Sequence, residues 1–387
     1  MVNFLHYLEN PQINYEKFYE VMRDFRKGGL NPTMYDEFIE TIKQLPKIRM
    51  RGPFAYNVFD KFNLTDVSPD DFMVIQKEVI KRGIRASKVC WHPEASSSNC
   101  KVDEKGEIIV SAAHSIQNNG ILREISENYF VMGYAFKKGT IEGEEIQKNT
   151  ASIFWGFCNT HDSIFNPIET APYTKTEEQN FLFAYRGFVV ACHKKMEVSS
   201  FMNYGEQSKK DIEENKKLFD VAIKTTNHAV IESEVFELSN FYPIAASSAF
   251  YLDFDFEGNE IPHSDDRIEN IFVTLLPILK ENKTYFILSY FQKDKHLYGN
   301  LGEQLRKRNN LKSDITMLLG AHTENVFFNP VYYKTFIEKI EEILHELMFE
   351  TQMDHGVVGA NDEIQHQYSY TTNNYLKNPH NISFFGY

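Results

Sequence analysis

The chain has 387 residues, 42% of them hydrophobic, 25% charged and 14% aromatic, with 32 Phe and 21 Tyr against two Trp and a net charge of −13 at neutral pH. That composition can bury substantial cores and excludes a disordered or low-complexity chain, and the length is that of two or three domains. The charge is spread as +1 over residues 1–85, −4 over 86–172 and −10 over 173–387, which excludes a broad nucleic-acid-binding face. The longest apolar run, Ile271 to Leu279, contains Thr274 and Pro277. It falls well short of the roughly 20 residues that cross a bilayer. The opening MVNFLHYLENPQ reaches Glu9 before an apolar segment of signal-peptide length. A cytoplasmic protein with no membrane contact is expected.

In chain order, Tyr15, Phe18, Tyr19, Met22 and Phe25 recur at helical spacing, as do Met34, Tyr35, Phe38, Ile39, Ile42 and Leu45. Gly28-Gly29 and Asn31-Pro32 separate the two runs. A third helix is predicted from Ser68 to Arg82, with Ser68 as N-cap and Asp70 and Asp71 in its first turn. Local basic clusters lie near a Gly-Pro turn within this region, Lys47, Arg49 and Arg51, and at its end, Lys81, Arg82, Arg85 and Lys88. From residue 86 the chain turns to Cys, Ser, Gly and Asn with three β-prone runs, Glu107 to Ser115, Tyr129 to Phe136 and Ala151 to Cys158. Two helices are predicted next, a ring-rich one from Thr176 to Lys195 and a polar one from Gly205 to Lys224 with a stripe of Ile212, Leu218, Val221 and Ala222. Beyond them the pattern predicts a strand running into a turn over Phe250 to Glu260, a hairpin from 270–279 and 285–291, and helices over 300–309 and 330–349. The tail after Met353 reads as loop.

The expected fold class is therefore α+β and multidomain: a helical N-terminal region at 1–85, a small zinc-binding module at 86–172, a helical hairpin at 173–230 and a C-terminal α+β domain at 231–387.

Three of the four cysteines, Cys90, Cys100 and Cys158, fall in one window, and His161 lies three residues beyond the last. Clustered cysteines in an intracellular chain point to metal before disulfide, and structural zinc takes four tetrahedral sulfur or nitrogen ligands. Cys158-x-x-His161 suits the start of a helix, where one turn presents both side chains to one ion. Cys90 and Cys100 supply the second pair across a Ser-rich loop longer than an ordinary knuckle, with His92 as a substitute ligand. Cys192, inside a predicted helix, reads as core.

Between these pairs, Ser111-Ala-Ala-His-Ser-Ile116 places His114 at the end of a β-prone run, and a later run ends in Phe157-Cys-Asn-Thr-His-Asp162. From Cys90 to Phe165 this resembles the HNH, or ββα-metal, nucleases and their treble-clef zinc relatives. The resemblance implies a strand ending in a His that activates water, a second strand, and a helix that opens with ligands. Carried over, His114 is the general base, Cys158 and His161 are the second zinc pair, and Asp162 holds a catalytic Mg²⁺ or Mn²⁺. A second registration makes His161 itself the catalytic-metal ligand. Ala113 stands where the family usually carries a further ligand, and Ser152 lies closest to the place of the orienting Asn, which Asn149 would fill only with an insertion. The implied activity is metal-dependent phosphodiester hydrolysis of DNA or RNA. The large companion domain suggests a regulated effector, as in bacterial defence or toxin systems. The contrasting reading is a non-catalytic zinc-stabilised module that binds a protein partner or a second copy of the chain.

Other motifs are weaker. Asp253, Asp255 and Glu257 alternate along the predicted strand as an ordinary polar face. His263 to Asp266 reads as an acidic turn, and Ala321 to Asn325 as a loop. No phosphate-cradling glycine motif and no nucleophile elbow occurs in the sequence. Tyr185-Arg186 is positioned to reach the zinc module, with Arg186 as a phosphate ligand or as one half of an ion pair.

Overall fold

The computed structural model describes residues 88–137, 140–198, 206–252, 254–262, 271–323, 325–344, 356–358, 364–366, 378 and 381–386. The three helices expected in residues 1–85, the basic residues from Lys47 to Arg85, Asp253 and His263 to Asp266 lie outside them. The described chain is mixed helix and sheet, as expected.

Its centre is a seven-stranded antiparallel sheet in the order β3-β2-β9-β6-β7-β8-β5. The strands are β2 (Phe130–Lys137), β3 (Thr140–Gln147), β5 (Ile231–Leu238), β6 (Ile244–Phe250), β7 (Ile271–Ile278), β8 (Lys283–Phe291) and β9 (Val326–Phe328). The predicted hairpin at 270–291 is β7 and β8, closed by Asn282 at φ +51°, a left-handed position that Asn tolerates better than most residues. Both strands are nearly continuous apolar runs because both faces of the sheet are covered. Successive residues alternate between two cores. Ile271, Val273, Leu275, Phe286, Leu288 and Tyr290 face one, and Phe272, Leu276, Tyr285, Ile287 and Phe291 face the other.

On the first face lie the short helices α4 (Lys295–Tyr298), α5 (Leu301–Lys307) and α6 (Leu311–His322), through Tyr298, Leu301, Leu305, Ile315 and Leu318. On the second lies α2 (Glu177–Val198), which follows the single turn α1 (Asn166–Glu169), with α3 (Glu206–Thr225) beside it. From Gln179 to Val190 every residue of α2 that carries a side chain is buried, as a helix with neighbours all round must be. The α3 anchor is Phe219, wholly buried among Phe181, Tyr185, Phe188, Phe272 and Phe291, whereas Val221 of the expected stripe is 61% exposed.

A separate two-stranded sheet pairs β1 (Ser111–His114) with β4 (Ile153–Phe157). The middle β-prone run belongs elsewhere. Tyr129 to Phe136 forms β2, which pairs with β3 and joins the large sheet through Met132 opposite Phe328. The packing gives no support to a division into separate domains. One core runs from Cys90, Cys158 and Phe165 through α2 to β7 and β8. Asn325 also ties the exit of β1 to β6, accepting from Ser115 Oγ and donating to the Ser247 carbonyl.

Of the strand running into a turn expected over Phe250 to Glu260, the turn forms and the strand is corrected. β6 ends at Phe250, and the carboxylate of Asp255 accepts from the Glu257 and Asn259 amides at 2.9 and 2.8 Å, folding an Asx turn around Gly258 at φ +87°. Asp255 and Glu257 therefore sit in a turn and do not alternate along a strand.

Candidate metal centre

The metal centre is assembled around β4. The segment at 89–91 lies along one side of it, with the Val89 and Trp91 amides donating to the carbonyls of Trp155 and Gly156, and β1 pairs on the other side. This sets Cys90 beside Cys158, whose amide donates to Cys90 Sγ at 3.5 Å. The long loop to Cys100 folds on itself: the Ala95 amide donates to the His92 carbonyl, and those of Asn99 and Cys100 to the Ser96 carbonyl. Its length is taken up in two turns, so Cys100 returns to the cluster. His161 opens a 3₁₀ turn, His161–Phe165, as Cys158-x-x-His161 predicts.

Cys90, Cys100, Cys158 and His161 are all buried, and their ligand atoms lie within 4.8 Å of one another. His161 Nδ1 is 3.5, 3.4 and 3.4 Å from the sulfurs of Cys90, Cys100 and Cys158. A tetrahedral zinc with bonds of about 2.3 Å to sulfur and about 2.0 Å to nitrogen sets S···N edges of about 3.5 Å. The donor set fits a soft divalent ion in both chemistry and shape. Burial pushes the Cys90 thiol up to about 12 and raises Cys100. For Cys158 burial works upward too, but the His161 and Thr160 amides and its thiol neighbours bring it below the usual thiol value. A site that disfavours several thiolates becomes favourable for them once a cation shares it. Cys192 is buried in the α2 core, as expected.

His114 ends β1 opposite Ile153. Its Nδ1 lies 3.0 Å from the Ala151 carbonyl and 3.3 Å from Ser152 Oγ. A carbonyl can only accept, so Nδ1 carries the proton and Nε2 keeps its lone pair. Ser152 holds φ +57°, an uncommon backbone for a residue other than glycine, and its hydroxyl donates to the Ile116 carbonyl. Burial lowers the His114 pKa below the ordinary imidazole value, with the Ala151 carbonyl and Glu169 opposing, and Arg186 and Lys148 reinforcing. Asn149 does not orient the base; it accepts from Asn118 and Lys148.

Asp162 follows His161 in the same turn, and its carboxyl is raised by burial, with Arg186 opposing and Glu169 adding. Between Asp162 and His114 in electrostatic reach sits an ion pair that the sequence motif does not contain: Arg186 of α2, 2% exposed, with Glu169 of α1 at 2.5 Å. Arg186 also stacks over Phe165, 4.2 Å from its ring centre. Tyr185 donates to the Trp91 carbonyl at 3.2 Å, so α2 grips both ends of the module. Of the two roles open to Arg186, the structure shows the ion pair. Among the described residues, groups of three or more closely spaced metal-ligand side chains occur twice, as the Cys₃His set and as His92, Glu94 and His161. His114 and Asp162 belong to neither.

Comparison of the chain with protein-family models, with curated proteins and with solved structures gave no match. No helix among the described residues is long and apolar enough to cross a membrane.

Proposed function

We propose that this chain carries a zinc-anchored ββα module that hydrolyses phosphodiesters in DNA or RNA, with His114 as general base. The observation that carries the reading is the setting of His114: it stands at the end of β1, with Nδ1–H bound to the Ala151 carbonyl and Nε2 available to take a proton. The strand opposite, β4, leads directly into the turn that bears Cys158, His161 and Asp162. A neutral imidazole held by a rigid hairpin is suited to deprotonate a water attacking phosphorus.

Zinc is the proposed occupant of the Cys₃His site, where it would supply folding energy and fix the hairpin against the helix turn. A catalytic Mg²⁺ or Mn²⁺ finds only a thin donor set in Asp162, because Glu169 is engaged by Arg186. The proposed chemistry therefore rests on this chain's own groups. His114 takes the proton, and Arg186, paired with Glu169 and stacked on Phe165, holds the turn that bears Asp162. With a net charge of −13, the contact with nucleic acid is narrow or completed by another subunit. The closed Arg186–Glu169 pair favours a second reading, a zinc-stabilised module without catalysis that binds a protein partner.

Plasmid DNA and RNA, each with Mg²⁺ or Mn²⁺, separate the two. Wild type should cleave one of them, and His114→Ala should lower the rate by about 10²–10⁴-fold. Because burial lowers the His114 pKa, the rate should rise from acid pH and level off before neutrality. Equal cleavage by both proteins, or none by wild type on either substrate, contradicts the hydrolytic reading and favours the interaction module.

A further inference from the structure

The metal centre reads as more than its four ligands. His161 Nδ1 is the nitrogen that meets all three sulfurs, so Nε2 carries the proton if the ring binds as a neutral ligand. His161 is 8% exposed, and its contacts with the sulfurs all fall on Nδ1, which leaves the Nε2 proton open to an acceptor beside the ring. Two side chains from the turn after Cys90 are placed to respond. A ring nitrogen of His92, a ring nitrogen of His161 and a carboxylate oxygen of Glu94 lie within 4.8 Å of one another. The His92 ring is stacked on that of His161, with centroids 4.1 Å apart and planes 3° from parallel.

Hydrogen bonding separates their roles. The Glu94 amide donates to His92 Nδ1 at 3.2 Å, so Nδ1 of His92 is an acceptor and its own proton sits on Nε2. A neutral His92 therefore has no spare lone pair for His161, and the carboxylate of Glu94 remains. The turn holds Glu94 in place: its carbonyl accepts from the Asn99 side chain at 3.1 Å, and Asn99 is tied back to Ser96 Oγ at 3.2 Å. The long Cys90–Cys100 loop thus has the residues a short knuckle lacks.

We propose that, once an ion holds Nδ1, the carboxylate of Glu94 closes on His161 to accept its Nε2 proton as the outer carboxylate of the metal centre, and that His92 is a stacked ring that fixes the plane of that ligand. Glu94 is a positioning residue: it acts on the ion through His161, aligning its Nδ1 and raising its basicity. The inference rests on the Cys₃His metal reading.

The test uses the full chain, loaded with Zn²⁺ and titrated with a chelating competitor, and a parallel Co²⁺-substituted sample read by its visible absorption. Wild type should hold one equivalent. Glu94→Ala should bind the ion about 10–100-fold more weakly and shift the Co²⁺ bands, the usual effect of losing such a partner. Glu104→Ala, an exposed acid on the neighbouring turn, should do neither. His92→Phe, which keeps a flat ring, should stay closer to wild type than His92→Ala. Unchanged affinity and spectrum in Glu94→Ala would overturn the assignment. So would a second equivalent in wild type that Glu94→Ala and His92→Ala both lose, which would make this group an ion site of its own. Failure of wild type to bind any metal would instead strike the Cys₃His reading and carry this inference down with it.

Discussion

Gly187 shows how closely single residues are specified where the elements meet. It lies on α2 between Arg186, turned to the metal module, and Phe188, turned to the aromatic core, and a Cβ there would come 3.1 Å from the Ser248 carbonyl of β6. Backbone cannot move as a flexible side chain can, so Gly187→Val should destabilise the chain by about 1–3 kcal/mol, as overpacking does. Chemical denaturation would register this as a lower midpoint with an unchanged slope, and an unchanged midpoint would count against the close helix–sheet approach. The metal ligands are specified differently. Cys158 and His161 are legible because one turn of chain carries both. Cys90 and Cys100 were legible by residue type, although their loop is much longer than a usual knuckle. What closes that loop is invisible to motif reading, because it consists of carbonyls and amides at His92, Ala95, Ser96 and Asn99. The partner of His114 escaped for the same reason: the Ala151 carbonyl has no side-chain signature, and Ser152, nearest the place of an orienting Asn, is the farther of its two contacts.

At the scale of elements, periodicity worked where one element decides its own burial. α2, α3 and the β7–β8 hairpin are close to their predicted bounds. The reading failed where context decides. The run from Tyr129 to Phe136 is β-prone wherever it sits, and nothing local says that it leaves the metal module to join β9 across the large sheet. Phe250 to Glu260 alternates like a strand, but Asp255 can satisfy the amides of Glu257 and Asn259 with its own carboxylate, and that local alternative wins. β5, β6 and α6 were not predicted. In α6, residues from Asp314 to Ala321 are all buried, so no amphipathic stripe marks the helix. Glu169 and Arg186 come from different helices, so their pairing beside His114 follows from packing rather than from spacing.

Across the whole molecule, α2 joins the metal module to the sheet, so strain at one should be felt at the other. The buried histidines give the fold a definite response to acid. Burial depresses His193 and His322 to about 3, against about 6.5 for an unfolded imidazole. Between those values the unfolded chain binds protons that the folded chain refuses, so their contribution is whole above about pH 6.5 and declines as the pH falls toward 3. His193→Gln, whose side-chain oxygen can still accept from the Trp155 amide that now donates to His193 Nε2, should make the fall of Tm with acid shallower than in wild type. Parallel curves for the two proteins would contradict the assignment.

The claim on which the rest depends is that Cys90, Cys100, Cys158 and His161 hold one ion as a unit. Metal content of the purified full chain, measured by elemental analysis beside Cys158→Ser, tests it most directly. Wild type should carry about one equivalent of zinc and the variant little, and cooperative unfolding should be lost when a chelator removes the metal. A wild-type chain that is metal-free, equally stable with and without chelator and unable to take up zinc would contradict it.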